Sequence, residues 1–444
     1  MPRRRKVLRP AVLAAALVVV GCVGYSDWVG QMERQIAQDR PNEAIAVLED
    51  HAAAGRNAVL LLLNRSILYR MAADFERSNA DLEAAKLLID QLSVTSVTEQ
   101  TGALTINDTM RSFVGEPYEQ VLVHVYEALN YLEMGQPDQA RVEALQLDVQ
   151  LNDLGDDPLA GAGFARYLSG LVFETLGEWD DAMIADRKAF EAYRRAQAFF
   201  VPTPLRGDLL RLTRHLGLRE EFARYRKEFE SQGGASQKAA DVPGDSGELV
   251  FTLHSGLAPV KREAAIGVTT EDGRMVMVSM PYYEARPPRV VAARVHIGTA
   301  AKETATMEDI EALAVGSLER RKPEILARAV ARAVLKYNAS REAQKNNEAL
   351  AFMVNVAGVL TERADTRSWS TLPSRISLLR WPLTAGHYRI DVDLLGDDGI
   401  VVAQRTFEDV AIVAGEKRFL SLHWVSPDDL VTVGGRYGRS ERRH

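Results

Sequence analysis

From residue 31 to residue 230 apolar positions recur at helical spacing; beyond residue 248 they alternate with polar ones. Leu62, Ile67 and Tyr69 mark one helical stripe, and Val125, Leu129 and Leu132 another. Within the helical half one phrase returns: a small or polar turn, a short acidic stretch, then a small residue five positions on. It reads Asp39-Arg-Pro-Asn-Glu-Ala44, Ala73-Asp-Phe-Glu-Arg-Ser78, Gly135-Gln-Pro-Asp-Gln-Ala140, Gly177-Glu-Trp-Asp-Asp-Ala182 and Gly217-Leu-Arg-Glu-Glu-Phe222. The gaps between phrases are 34, 62, 42 and 40 residues. The turn residue suits the left-handed conformation that closes one helix, and the acidic residues suit the first turn of the next. Ser78 and Ala85 lie seven apart, as do Ala182 and Ala189, so each pair falls on a helix face that a neighbour can approach closely.

These phrases resemble the tetratricopeptide repeat, whose period is about 34 residues. The likeness is best over residues 57–90 and 164–195. It implies a solenoid of stacked helical hairpins with a concave groove that takes partner proteins. The period breaks at residues 93–116, rich in Thr, Ser and Val, which read as a long ordered insertion without a helical stripe, burying Leu104, Ile106, Phe113 and Val114. Pro117-Tyr118-Glu119 then opens the next helix, with proline at a tolerated first position.

Residues 231–247 are Gly-, Ser- and Ala-rich and read as a flexible linker between two separately folding halves. Strands are expected at 248–254, 262–269, 274–280, 288–297, 376–381, 387–394, 399–407 and 417–424, with helices near 306–337 and 341–361. In His387–Leu394 the residues Tyr388, Ile390, Val392 and Leu394 share one face. The fold class is α+β: a tetratricopeptide-like helical solenoid over 22–230, then a mainly β, sandwich-like domain over 248–430 carrying a helical insertion at 306–361. Residues 431–444 are a polar, basic tail. The run Ala349–Leu360 is almost wholly apolar; twelve residues are too few to span a bilayer and suit a core helix.

The N-terminus changes the picture of where the chain works. Arg3, Arg4, Arg5, Lys6 and Arg9 precede an apolar run from Ala11 to Val20, then Gly21 and Cys22, the only cysteine of 444 residues. This is the layout of a secretory signal over residues 1–21. A cysteine directly after the small residue resembles the lipobox of bacterial lipoproteins, which implies that Cys22 is acylated and becomes the first residue. Val23 follows where inner-membrane retention usually shows aspartate, so the resemblance points to an outer-membrane anchor facing the periplasm. The formal charge of −7 becomes −12 once the five basic residues of the signal are removed. So acidic a chain gains nothing from counterion release, which argues against a nucleic-acid partner.

No catalytic constellation is visible. There is no His-Glu-x-x-His, no Gly-x-Ser-x-Gly and no phosphate loop, and the eight histidines show no metal-ligand spacing. No cofactor or metal is expected. The segment Glu362–Pro373 is dense in groups that bond specifically: Asp365, Arg367, Trp369 and Ser370 read either as a binding loop, since Trp and Arg anchor interfaces, or as a structural joint. Gly256–Arg262 reads as a connecting loop.

Asn107-Asp108-Thr109, Ala128-Leu129-Asn130-Tyr131-Leu132, Gly256-Leu-Ala-Pro259 with Lys261, and Ala364-Asp-Thr-Arg-Ser-Trp-Ser-Thr-Leu-Pro373 resemble a family of proteobacterial outer-membrane lipoproteins with no assigned activity. Members tend to be encoded beside lipoproteins similar to the outer-membrane activator of penicillin-binding proteins. The resemblance implies a place in an envelope assembly and supplies no catalytic residue. The reading is therefore a non-enzymatic scaffold that binds other envelope proteins, lipoproteins among them, through its repeats. The alternatives are a cell-wall- or lipid-acting enzyme, or a ligand- or glycan-binding lipoprotein using the β-domain.

Overall fold

The computed structural model describes residues 25–50, 55–99, 112–155, 162–196, 201–231, 245–269, 275–346 and 363–430. The first half pairs helices into hairpins: α1 (Tyr25–Ile36) with α2 (Pro41–Glu49), α3 (Ala58–Met71) with α4 (Phe75–Glu99), and α5 (Pro117–Glu133) with α6 (Pro137–Asp153). Next come α7 (Ala162–Thr175) with α8 (Trp179–Ala196), and α9 (Thr203–His215) with α10 (Arg219–Ser231). The first residue of every recurring phrase has positive φ: Asp39 at 58°, Ala73 at 58°, Gly135 at 68°, Gly177 at 76° and Gly217 at 70°. The backbone conformation that ends each first helix is thus the repeated feature, with or without glycine to ease it. Ser78, Ala85, Ala182 and Ala189 are fully buried between helices.

The second half holds two four-stranded sheets. One has the order β10 (Lys417–Trp424), β1 (Ser246–Ser255), β7 (Arg375–Thr384), β6 (Ala305–Asp309), with β1 and β10 parallel and the other pairs antiparallel. The other, antiparallel throughout, has the order β5 (Ala300–Glu303), β4 (Ala292–Ile297), β8 (Gly386–Leu395), β9 (Val401–Ile412). Leu249, Phe251, Leu379 and Trp381 of the first sheet pack with Val295, Ile390, Val392 and Leu394 of the second, making a sandwich. A separate hairpin, β2 (Val260–Thr269) with β3 (Met275–Glu284), lies against the long helix α11 (Ile310–Asn346) through Val278, Met280 and Ala329.

The halves are not separate bodies. Val250, Ile376, Leu378 and Phe419, on the opposite face of the first sheet, share one continuous core with α3, α5, α7 and α9. That sheet is buried on both faces, which is why Leu249-Val250-Phe251-Thr252-Leu253 is a run rather than an alternation. The expected linker falls mostly on residues 232–244, outside the described residues, as do Cys22, the apolar run Ala349–Leu360 and the tail at 431–444.

Several boundaries differ from expectation: α11 runs unbroken from Ile310 to Asn346 where two helices, near 306–337 and 341–361, were expected. Helix α4 continues to Glu99 through residues read as an extended insertion, because extending a formed helix needs far less than starting one. The helix expected from residue 306 begins at Ile310. Met307 is buried and β6 pairs with β7, while the Asp309 carboxylate accepts the Ala312 N–H at 2.9 Å and caps the helix.

Candidate functional site

The structure brings Asp365, Arg367, Trp369 and Ser370 together, but turns them into the molecule. Trp369 has no exposed surface; its backbone N–H donates to Glu119 at 2.8 Å and its ring lies 5.9 Å from that of Tyr126 on α5. Ser370 Oγ donates to Asn64 Oδ1 on α3 at 3.1 Å. Arg367 is buried, pairs with Asp365 at 2.7 Å and donates to the Arg56 carbonyl at 3.2 Å and to Asn57 Oδ1 at 3.1 Å. The binding-loop reading is corrected: these anchors are occupied by the chain's own helices. Leu257 and Ala258, in the loop from β1 to β2, are likewise buried, and the Ala258 carbonyl accepts from Arg286.

The groove expected to receive partners is filled in the same way. Helices α5, α7 and α9 meet β10, β6 and β7. Their inner faces carry an ionic cluster around Arg380 of β7, which lies 2.6 Å from Glu174, 2.7 Å from Asp208 and 2.6 Å from Glu248. Lys417 adds contacts to Glu174 and Glu248, and Arg211 to Glu174 and Asp208. Burial opposes ionisation here, but Arg380 and Lys417 hold Glu174 well below the usual range and bring Glu248 to about 2. At Asp186 burial and the nearby Asp208 and Glu174 push the carboxyl well above its ordinary value.

Sequence spacing missed one constellation. His124, Glu127 and Glu143, from α5 and α6, offer ligand atoms within 4.8 Å of one another. The Lys86 ammonium of α4 sits 2.6 Å from Glu127 and 3.1 Å from Glu143. Burial and the neighbouring Glu143 raise Glu127 to about 9, so the pair carries one negative charge opposite one lysine. The i, i+3 spacing of His124 and Glu127 was the available signal. The chemistry it forms is a lysine-neutralised carboxyl pair.

Burial also raises two carboxyls outside these clusters to about 7: Glu119, and Glu308 beside the N-terminus of α7. Each keeps its proton in the fold up to near pH 7, whereas the unfolded chain releases it near 4.5. Their contribution to stability is complete below about pH 4.5 and is lost as pH rises toward 7. Glu308→Gln fixes the neutral form. Its stability relative to wild type should improve by up to roughly 3 kcal/mol between pH 5 and 7.5, measured by denaturant unfolding across that range. A difference that stays constant with pH would refute the assignment.

The free surface of the array is the outer face, made by the second helix of each hairpin. There Leu87 of α4, Val142, Leu145 and Val149 of α6, and Ile184 of α8 are exposed, Val149 by 61%. Positions 142, 145 and 149 fall on one face of α6. Val142, Leu145 and Val149 form an apolar strip along α6, and the ion pairs Lys86–Glu143 and Lys188–Asp148 tie α4, which carries Leu87, and α8, which carries Ile184, to that helix.

No protein-family model matches this sequence, and no curated protein matches it. Among solved structures, a crystal structure of MamA is 16% identical, over 48% of this chain and 96% of that one, with a TM-score of 0.31. MamA from Desulfovibrio magneticus RS-1 is 12% identical over 50% of this chain and 99% of that one, with a TM-score of 0.30. A tetratricopeptide repeat protein from Parabacteroides merdae is 14% identical over 47% and 67%, with a TM-score of 0.32. At that level of likeness nothing about ligands or partners carries over.

Proposed function

We infer that this chain is a lipid-anchored, non-enzymatic scaffold of the cell envelope, facing the periplasm from the outer membrane. It holds other envelope proteins against the outer helices of its tetratricopeptide-like array. The observation that carries the reading is the division of the array's two surfaces. The inner one is consumed by the chain's own sheet, and the outer one presents the apolar strip of Val142, Leu145 and Val149 on α6, with Leu87 of α4 and Ile184 of α8 also exposed. The titratable groups around Arg380 and Lys86 are engaged in ion pairs with the chain's own carboxylates.

The anchor has its own test. Cys22 precedes Tyr25, the first helical residue among those described, by three positions, so the acylated terminus would hold the folded body within ~11 Å of the bilayer. Cys22→Ser should move the protein from the outer-membrane fraction to the soluble periplasm, or leave it uncleaved at the inner membrane. Unchanged fractionation would sink the lipoprotein reading.

The strip is tested by Leu145→Glu with Val149→Glu. Both side chains are exposed, so each change should alter stability by no more than about 0.5 kcal/mol. A photo-crosslinker at residue 142 should give a discrete adduct in intact envelopes, and the double substitution should abolish it. The same adduct in the same yield would remove the outer face from the partner site.

A further inference from the structure

Val142, Leu145 and Val149 are spaced by three and then four residues along α6, the spacing of contact positions on a helix that pairs with another helix. Their exposure runs from 44% to 61%. The opposite side of α6 is spent on the interior, where Ala140, Ala144, Leu147 and Leu151 are buried. Helix α6 thus has two apolar faces, and among the described residues only the inner one is covered.

The border of the strip carries one sign of charge. Exposed Asp138 and Asp153 stand on the strip's own face of α6, four residues before Val142 and four after Val149. The flanking helices repeat the arrangement. Leu87 of α4 lies between exposed Glu83 and Asp90, and Ile184 of α8 between exposed Asp180 and Glu191, all at helical spacing. Glu83 meets Lys86 at 2.8 Å and Glu191 lies 3.9 Å from Arg194, whereas Asp90, Asp138, Asp153 and Asp180 form no ion pair among the described residues. The cations beside the strip are committed to the chain's own carboxylates: Lys86 also to Glu127 and Glu143, Arg141 to Glu178, and Lys188 to Asp148. Exposed Arg194 and Arg195 stand about 15 Å along α8 from Ile184. An apolar centre with an acidic border repels an anionic lipid surface. It also repels a second copy of itself, since two α6 helices paired antiparallel would set Asp138 against Asp153. A cationic partner is steered toward it.

Building on the reading that partners dock on the outer helices, we propose that the strip takes one amphipathic helix of another protein. Its apolar seam lies along Val142, Leu145 and Val149, and its flanks carry lysine or arginine to meet the acidic border. Apolar contact supplies the affinity of such a helix, and the border charges select its sign.

The probe is a fluorescent peptide of the length of α6, 17 residues, with leucine at the seam positions and lysine at the flanking ones. One comparator has glutamate at the flanking positions, and another has the lysine peptide's composition in scrambled order. The full-length protein should bind the lysine peptide saturably and roughly tenfold more tightly than either comparator at low salt. The advantage over the glutamate peptide should shrink as salt rises, because the border charges are exposed. Leu145→Asn with Val149→Asn removes apolar surface without changing charge, and should weaken the lysine peptide roughly tenfold. Asp138→Asn with Asp153→Asn leaves the strip intact and should narrow the preference for lysine over glutamate. All four side chains are exposed, and an unchanged melting temperature shows that each variant is folded. Equal binding of the scrambled peptide would reduce the effect to net charge and overturn the proposal. So would self-association, or binding to phosphatidylglycerol vesicles, that Leu145→Asn with Val149→Asn abolishes. If no peptide binds while the residue-142 adduct forms in intact envelopes, the basic helix is wrong and the outer face remains the partner site. Absence of the adduct as well overturns both.

Discussion

Arg380→Ala should destabilise the protein by about 3–5 kcal/mol, because it leaves three buried carboxylates without their central cation. Glu174, Asp208 and Glu248 all lie within 2.7 Å of the guanidinium, and Glu174 and Asp208 belong to the helical half while Glu248 belongs to the sheet. Lys417 and Arg211 remain, but neither reaches all three. Arg380→Met should rescue little, since methionine restores packing and not charge. The pH dependence gives a second readout. Glu248 has a folded value near 2 against an ordinary 4.5, so its contribution is present above about pH 4.5 and is lost as pH falls toward 2. In the variant that acid-range slope should shrink, because the carboxylates no longer have the cation that favours their ionised form. Helical and tertiary signals should fall together in denaturant. A helical signal that outlasts the loss of the β-half would show that Arg380 stabilises one half only.

The repeated hairpins were legible because their cause is local. A turn residue able to take positive φ, an acidic first turn and, in all but the last phrase where Phe222 stands, a small residue five positions on are written within six residues, and each phrase marks a helix boundary. The strand from Lys417 to Trp424 was read at its observed bounds for a similar reason: alternation needs only neighbours. What could not be read is which face meets which. Helix α5 buries Tyr118, Val121, Leu122, Val123, Val125, Tyr126, Ala128, Leu129 and Leu132, apolar on nearly every side. That pattern says the helix is enclosed. It does not say that the cover comes from a sheet more than a hundred residues away. The loop at Asp365–Ser370 shows the same limit from the other direction. Trp and Arg anchor an internal joint by the same physics with which they anchor a partner, so composition alone left both readings standing. The carboxyl pair at Glu127 and Glu143 depends on Lys86, from another helix, and had no sequence signature beyond the spacing of His124 and Glu127.

Trp369→Ala is expected to be as costly as the loss of Arg380, for a different reason. The indole is wholly buried where α3, α5 and the segment before β7 meet, and truncating a large aromatic in such a place costs about 3–5 kcal/mol through lost contacts and the cavity left behind. Against a typical domain stability of about 5–15 kcal/mol, that loss brings the chain close to unfolding at ordinary temperature. Trp369→Phe is the control. It keeps an aromatic six-membered ring but gives up the Nε1 hydrogen bond to Thr371, a loss of about 1 kcal/mol, and adds the cost of the smaller cavity left by the missing pyrrole ring. Because the tryptophan side chain is enclosed, neither change touches the outer strip, and crosslinking through residue 142 should persist at temperatures where the variant is folded. The shared core requires one cooperative melt in which helical and β signals disappear at the same denaturant concentration. Two separated transitions in Trp369→Ala, with the helical half surviving at wild-type stability, would restore the picture of two autonomous domains. Folded Trp369→Ala that loses the residue-142 adduct would instead tie partner capture to the joint rather than to the outer helices.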